Sequence, residues 1–179
     1  MNEKIALLRR YNFWSSDSID LGYKRSTYVD NIVGYIEDAF LIHKCDRYNI
    51  KGKDIMSGNA KYYINDLAYK NYLYPGYGYG YGYLAENLVY LELKRTGYNV
   101  YVGSLRNKEV DFIAQKADRT IYLQSTYMLT DEATVEREYS ALKAIDDNFE
   151  KVVISLDEIT MPLNEGIRHI KAWELDKIL

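Results

Sequence analysis

The chain has 179 residues, of which 47% are hydrophobic and 27% are charged, and this suits an ordinary folded protein of one or two domains. A net charge of −3 argues against a protein that coats nucleic acid through bulk charge, while leaving room for a local basic patch. No apolar run approaches the ~18 residues that a membrane-spanning helix needs. The single cysteine, Cys45, excludes an internal disulfide and suits the cytoplasm. No G-x-x-x-x-G-K-[S/T] loop is present, so an associated ATPase would have to lie on another segment or another protein.

The first 64 residues are predicted to form two helices followed by a β-hairpin. A short helix is expected over about 3–11, and a second begins near Ser26, a favourable N-cap residue. An apolar stripe at helical spacing follows that cap, with Val29, Ile32, Val33 and Ile36. Short strands are expected near 40–44, before Met56 and at 61–64. Helices followed by a hairpin predict a winged-helix-like module at 1–64.

Basic side chains on the predicted wing make it a candidate contact for nucleic acid, because the wing of such modules touches backbone phosphates. The expected contacts are Lys44, Arg47, Lys51 and Lys53. Asp30, Glu37 and Asp38 on the second helix would instead repel phosphates. A protein-docking or purely structural role for this module therefore stays open.

Residues 65–179 are predicted to form a second domain with a regular order of elements. The Tyr and Gly repeat at 77–83 reads as a flexible connection, because it lacks the preceding strand and the glycine spacing of a phosphate-binding loop. The predicted elements are a short helix from 66, a helix at 84–96, strands at 99–103, 109–114 and 121–126, a helix at 130–145, strands at 151–156 and 167–170, and a last helical turn at 172–179. This order predicts a mixed α/β sheet.

Two neighbouring predicted strands carry polar side chains among apolar ones. Strict alternation places Asp111 on the face opposite to Val110 and Phe112, and places Gln124 with Thr126 on one face of the next strand. A carboxylate among apolar residues is costly to bury without a partner. The position of Asp111 among apolar residues therefore indicates either a strand-end acid bonded to backbone amides or a ligand of a divalent metal.

The arrangement of an acid on a helix, an acid on the second strand and a polar pair on the third resembles the PD-(D/E)xK nuclease-like superfamily. More specifically, three regions are similar to a domain that follows the ATPase core in many prokaryotic AAA-type ATPases. They are Ile36-Glu-Asp-Ala-Phe-Leu-Ile-His-Lys, Lys61-Tyr-Tyr-Ile-Asn-Asp66-Leu, and the stretch from Glu86-Asn-Leu-Val-Tyr through Asn107-Lys-Glu-Val-Asp111-Phe-Ile-Ala to Gln124-Ser-Thr-Tyr127. The resemblance implies a restriction-endonuclease-like mixed sheet with an αβββαβ core at 65–179, after the winged-helix-like module. It also implies an AAA-type ATPase partner in cis or in trans.

The resemblance further implies a ligand set for Mg²⁺ or Mn²⁺ and a DNA substrate. Glu86 and Asp111 match the first two acidic positions, while Gln124 stands in place of the third acid and Thr126 in place of the lysine. A glutamine keeps a carbonyl oxygen but removes one negative charge, and Lys108 is the nearest lysine in sequence that could replace the missing cation. The alternative is a non-catalytic module that binds nucleic acid or protein, or a scaffold that docks or oligomerises the ATPase.

Overall fold

The computed structural model describes residues 27–73, 75 and 80–179, so the helix predicted at 3–11 and the Ser26 cap lie outside the described residues. The helices are α1 (Thr27–Asp38), α2 (Ala68–Leu73), α3 (Tyr81–Arg95), α4 (Glu132–Lys143) and a final 3₁₀ helix (Ala172–Lys177). The strands are β1 (Ile42–Asn49), β2 (Asp54–Ile64), β3 (Asn99–Leu105), β4 (Lys108–Lys116), β5 (Arg119–Ser125), β6 (Glu150–Ser155) and β7 (Ile167–Lys171). None of the described helices is long and apolar enough to cross a membrane.

The described strands form one mixed sheet of seven, in the order β2-β1-β3-β4-β5-β6-β7. The pairs β1/β2, β3/β4 and β4/β5 are antiparallel, whereas β1/β3, β5/β6 and β6/β7 are parallel. The chain order α3-β3-β4-β5-α4-β6 confirms the predicted mixed α/β arrangement of the second half. Helix α3 begins at Tyr81 rather than Leu84, so the end of the predicted Tyr and Gly connection belongs to its first turn.

The predicted hairpin is an edge of this sheet rather than the wing of a separate module. Strand β1 pairs with β3, with Arg47 opposite Val102 and Asn49 opposite Ser104. Cys45 of β1 is fully buried in the same core cluster as residues of α3. The stretches before Met56 and at 61–64 are one 11-residue strand, β2. The winged-helix-like prediction for 1–64 is therefore wrong for the described part, because the hairpin has its hydrogen-bond partner and its buried face in the main sheet.

Helices cover both faces of the central strands. Helix α3 packs Val89, Tyr90 and Leu93 on one face, against apolar side chains that include Phe112 and Leu123. Helix α4 packs Tyr139 and Leu142 on the other face, in a cluster with Val110, Ile113, Tyr122 and Val153. Burial on both faces explains why these strands read as nearly continuous apolar runs.

A β-bulge in β4 overturns the predicted alternation around Asp111. Tyr101 pairs with Ile113 and Gly103 with Val110, so two residues of β4, at 111 and 112, stand opposite the single residue 102 of β3. The extra residue shifts the phase, and Val110 lies in the same core cluster as Ile113 rather than with Phe112. Asp111 is thereby turned to the face that α3 covers.

Candidate functional site

The bulge presents Asp111 as a nearly buried carboxylate, 8% exposed. Its Oδ2 accepts the backbone N–H of Ser125 at 2.8 Å, and its Oδ1 lies 4.0 Å from Nζ of Lys61. Burial and the negative charge of Glu86 hold the pKa of Asp111 well above its usual range, and Lys61 and the Ser125 amide oppose this only in part. The charged carboxylate of Asp111 is therefore unfavourable where it lies, and binding of a cation or a proton would relieve this.

Lys61, from β2, is the centre of the site. Its ammonium lies 2.9 Å from Oε1 of Glu86, 2.7 Å from Oε1 of Glu109 and 4.0 Å from Asp111, and the side chain is 16% exposed. Burial by itself would lower the pKa of Lys61, but the surrounding carboxylates outweigh it and raise this pKa above its ordinary value. Lys61 is therefore a permanently charged ammonium held among three acids.

Sequence reasoning missed Lys61 as a site residue because it precedes Glu86 by 25 positions and belongs to no motif with it. A signal was nevertheless present. Lys61 and Tyr63 share one face of β2 by strand alternation, and Tyr63 is buried in the core on that face. A lysine next to a core position of the same face needs an acidic partner, just as a buried acid needs a cation.

A second layer of donors holds the acids in place. The Tyr63 hydroxyl donates to Oε1 of Glu86 at 2.7 Å, and burial together with the charge of Glu86 raises the pKa of Tyr63, so it remains a neutral donor. Arg47 donates to Oε2 of Glu109 at 2.5 Å. Burial would raise the pKa of Glu109, but Lys61 and Arg47 outweigh it and lower that pKa. Arg47, predicted as a nucleic-acid contact on a wing, instead bonds Glu109 at the candidate site.

Gln124 lies next to Asp111, but its amide is already engaged. Its Oε1 accepts the backbone N–H of Asp111 at 3.3 Å, and its Nε2 donates to Oε2 of Glu138 on α4 at 3.0 Å. Arg137 donates from two nitrogens to the other oxygen of Glu138. Gln124 thus tethers the bulge to α4, and its carbonyl oxygen would have to leave the Asp111 amide in order to bind an ion.

A cleft of about 670 Å³ opens over these residues, between the first turns of α3 and the middle of α4. Glu86, Glu109, Asp111, Gln124 and Lys108 are among the side chains that line it. Nζ of Lys108 donates to the main-chain oxygen of Ser140 at 3.0 Å, so this predicted substitute cation is held against α4. The buried hydroxyl of Ser125 also belongs to the lining and has no hydrogen-bond partner among the described residues.

The oxygen atoms in the cleft are of the type that a hard divalent cation prefers as ligands. Their arrangement, however, is not that of a metal site. Carboxylate and hydroxyl oxygens are what Mg²⁺ and Mn²⁺ prefer, and Glu86, Asp111 and Ser125 supply them. Within the part of the chain that the structure describes, no group of three His, Cys, Asp or Glu side chains is disposed to hold a metal ion. Lys61 already bonds Glu86 and lies near Asp111, so an ion would share these acids with the ammonium.

The remaining predicted cations do not form one surface. Lys44 pairs with Asp46 at 2.7 Å near the start of β1. Lys51 and Lys53 are exposed in the turn that joins β1 to β2. Since Ile50 N–H donates to the Ser104 carbonyl, this turn lies beside the end of β3, where the exposed Arg106 begins the next turn.

A buried Ser, His and Asp set elsewhere in the sheet does not form a nucleophilic triad. Nε2 of His169 lies 2.8 Å from Oγ of Ser155, which in turn donates to Asp157 at 2.6 Å. Nδ1 of His169 accepts the backbone N–H of Met161 at 2.8 Å, so the ring proton of the neutral imidazole sits on Nε2. That nitrogen donates to the serine and cannot take its proton. The group is a satisfied buried network.

The chain is homologous to proteins whose own functions are not characterized. An uncharacterized protein of Haemophilus influenzae is 38% identical over 127 residues, which cover 71% of this chain and 31% of that protein. An uncharacterized protein of Methanocaldococcus jannaschii is 31% identical over 160 residues, which cover 84% of this chain and 34% of that protein. The chain therefore spans about a third of the length of these curated relatives. No family model and no solved structure matches it.

Proposed function

We propose that the cleft is a PD-(D/E)xK nuclease-like site that acts on DNA with Mg²⁺ or Mn²⁺. The observation that carries this proposal is that Glu86, from α3, and Asp111, from the β4 bulge, line an open cleft and converge on the partly buried Lys61 beside it. Acids that can hold a divalent ion, with a lysine beside them, are suited to metal-assisted phosphodiester cleavage. A divalent ion lowers the pKa of bound water and stabilises charge on phosphate oxygens. Glu86 and Asp111 would hold the ion, while Tyr63 and the Ser125 amide keep their carboxylates oriented.

We further infer that this domain works with an AAA-type ATPase, in cis or in trans. The chain spans only about a third of the relatives that it matches, which is consistent with a module that serves a larger protein. Its own sequence has no P-loop that could bind a nucleoside triphosphate. Nucleotide hydrolysis would therefore come from the partner segment.

The test is cleavage of labelled single-stranded, duplex and branched DNA in Mg²⁺ or Mn²⁺. Glu86→Gln and Asp111→Asn should lose cleavage, because each removes a negative charge from the ion's binding site. Glu92→Gln is the matched control, since Glu92 lies on the same helix as Glu86 but pairs with Arg95 at the surface. Cleavage that is equal in all four proteins would come from a contaminant and would sink the site.

A second candidate is a DNA-binding module without catalysis. Two observations favour it: Gln124 carries no charge where a third acid would lie, and Lys51 and Lys53 are exposed in the turn beside β3. In that case Asp111→Asn should keep DNA affinity, whereas Lys51→Ala with Lys53→Ala should weaken it and flatten its dependence on salt. If neither wild type nor these variants bind DNA, the remaining role for this chain is that of a scaffold that docks or oligomerises the ATPase.

A further inference from the structure

We propose that Lys61 is a built-in counter-cation of the carboxylates that line the cleft, occupying one cation position among them so that a divalent ion binds against its positive charge. The inference rests on the proposed metal site but concerns ion affinity rather than cleavage. Lys61 would lower the affinity for the ion by the repulsion of its charge and by its contacts with the acids that both of them share.

The contacts of Lys61 are those of an ion in a coordination site rather than of a surface salt bridge. Its ammonium contacts carboxylates from α3 and β4 at 2.9 and 2.7 Å, with a third at 4.0 Å. The side chain is 16% exposed, so water screens these charges weakly. Glu109 is shared with Arg47, whereas Glu86 and Asp111 have Lys61 as their nearest cation among the described residues.

The site contains oxygen atoms that could bind a cation and that are not hydrogen-bonded to Lys61. Oδ1 of Asp111, at 4.0 Å from the ammonium, is beyond hydrogen-bond distance. Ser125 is 9% exposed and lines the same cleft; its backbone N–H donates to Asp111, whereas its buried hydroxyl has no partner among the described residues. An unpartnered buried hydroxyl beside a carboxylate with a spare oxygen points to a small cation next to Lys61.

Two cationic side chains that line the cleft, Lys108 and Arg137, are bonded to other groups. The Lys108 ammonium is bonded to the Ser140 carbonyl, and Arg137 is engaged by Glu138 on α4. Within the described part of the chain, neither side chain forms an ion pair with Glu86 or Asp111. Lys61 is therefore the side chain whose charge a divalent ion would feel most directly.

The test is Mn²⁺ binding to the EDTA-treated chain, measured by titration calorimetry and by the loss of the free-ion electron paramagnetic resonance signal. Lys61→Met should bind Mn²⁺ roughly ten- to a hundredfold more tightly than wild type, because it removes a repulsive charge from a partly buried site. Lys61→Arg keeps the charge and should remain close to wild type. Lys94→Met, on an exposed position of α3, is the matched control and should change nothing.

Charge imbalance could unfold Lys61→Met, so a compensated variant is included. Lys61→Met with Glu109→Gln removes one positive and one negative charge together, and its affinity should fall back toward wild type. A merely structural role for Lys61 would weaken Mn²⁺ binding and lower the melting temperature in parallel. Weaker or unchanged binding in a folded Lys61→Met, or no binding by any of the proteins, would overturn the proposal. Tighter binding without DNA cleavage by wild type would instead refute only the nuclease function.

Discussion

Replacing Asp111 by Asn should make the metal-free protein more stable at neutral pH. The substitution preserves shape, and the Asn carbonyl can still accept the Ser125 amide that Asp111 binds. It removes a carboxylate whose pKa is held well above its usual range by burial and by Glu86. Lys61 loses only the most distant of its three acids, at 4.0 Å, and keeps Glu86 and Glu109.

The sign of the pH dependence follows from the raised pKa. Because the folded state holds the Asp111 proton more tightly than the unfolded chain, burial costs no stability below the unfolded pKa, near 3.9. The cost grows as the pH rises from the unfolded pKa to the folded pKa, and it is constant above the folded pKa. Each unit of such a shift costs about 1.4 kcal/mol at high pH, and a relief of that order would raise the melting temperature by roughly 2–4 °C for a chain of this size.

The assay is thermal unfolding in EDTA between pH 4 and pH 8. Asp111→Asn should melt above wild type at pH 8, and the difference should shrink toward zero near pH 4. Asp118→Asn is the control, because Asp118 is exposed in the turn between β4 and β5. A lower melting temperature for Asp111→Asn at pH 8, or a difference that does not change with pH, would refute the view that Asp111 is a strained acid.

Three further predictions address the fold around the site. Gly103→Ala should destabilise the protein by about 1–3 kcal/mol in urea unfolding, because a Cβ at this position would lie 3.0 Å from the Cβ of Val110 at the bulge. An unchanged midpoint of urea unfolding would mean that β3 and β4 can move apart there at no cost. Cys45 should resist a thiol reagent such as Ellman's at pH 8 in the folded state and react on unfolding, because burial raises the pKa of its thiol to about 12; rapid reaction without denaturant would contradict its burial. Asp131→Ala should lower the melting temperature, because Asp131 caps α4 by accepting the Thr134 N–H at 2.8 Å, whereas Asp131→Asn should retain most of the stability. Equal losses in both variants would rule out capping as the cause.

Much of the element order could be predicted from the residues, because the signals concerned are local. Helix α4 follows a capping acid, and the apolar runs of β4, β5 and β6 are bounded by turns, so their type and approximate limits are written in short stretches of chain. These element types depend on neighbours a few residues away, and they agree with the structure. Glu86 and Asp111 were grouped only by the resemblance to the nuclease-like superfamily, and in the structure both lie beside Lys61.

Only the tertiary structure decided what surrounds Asp111. The bulge that turns it toward α3 depends on how β4 is matched to β3, including the close approach at Gly103, and strand alternation carries no information about that register. The hairpin was interpreted as a wing because its two strands are adjacent in sequence. Its pairing with β3, in contrast, joins residues more than fifty positions apart. The same long-range pairing brings Arg47 to Glu109, and β2 brings Lys61 to Glu86. The charge balance of the site is therefore a property of contacts between distant segments, which no pattern within either segment records.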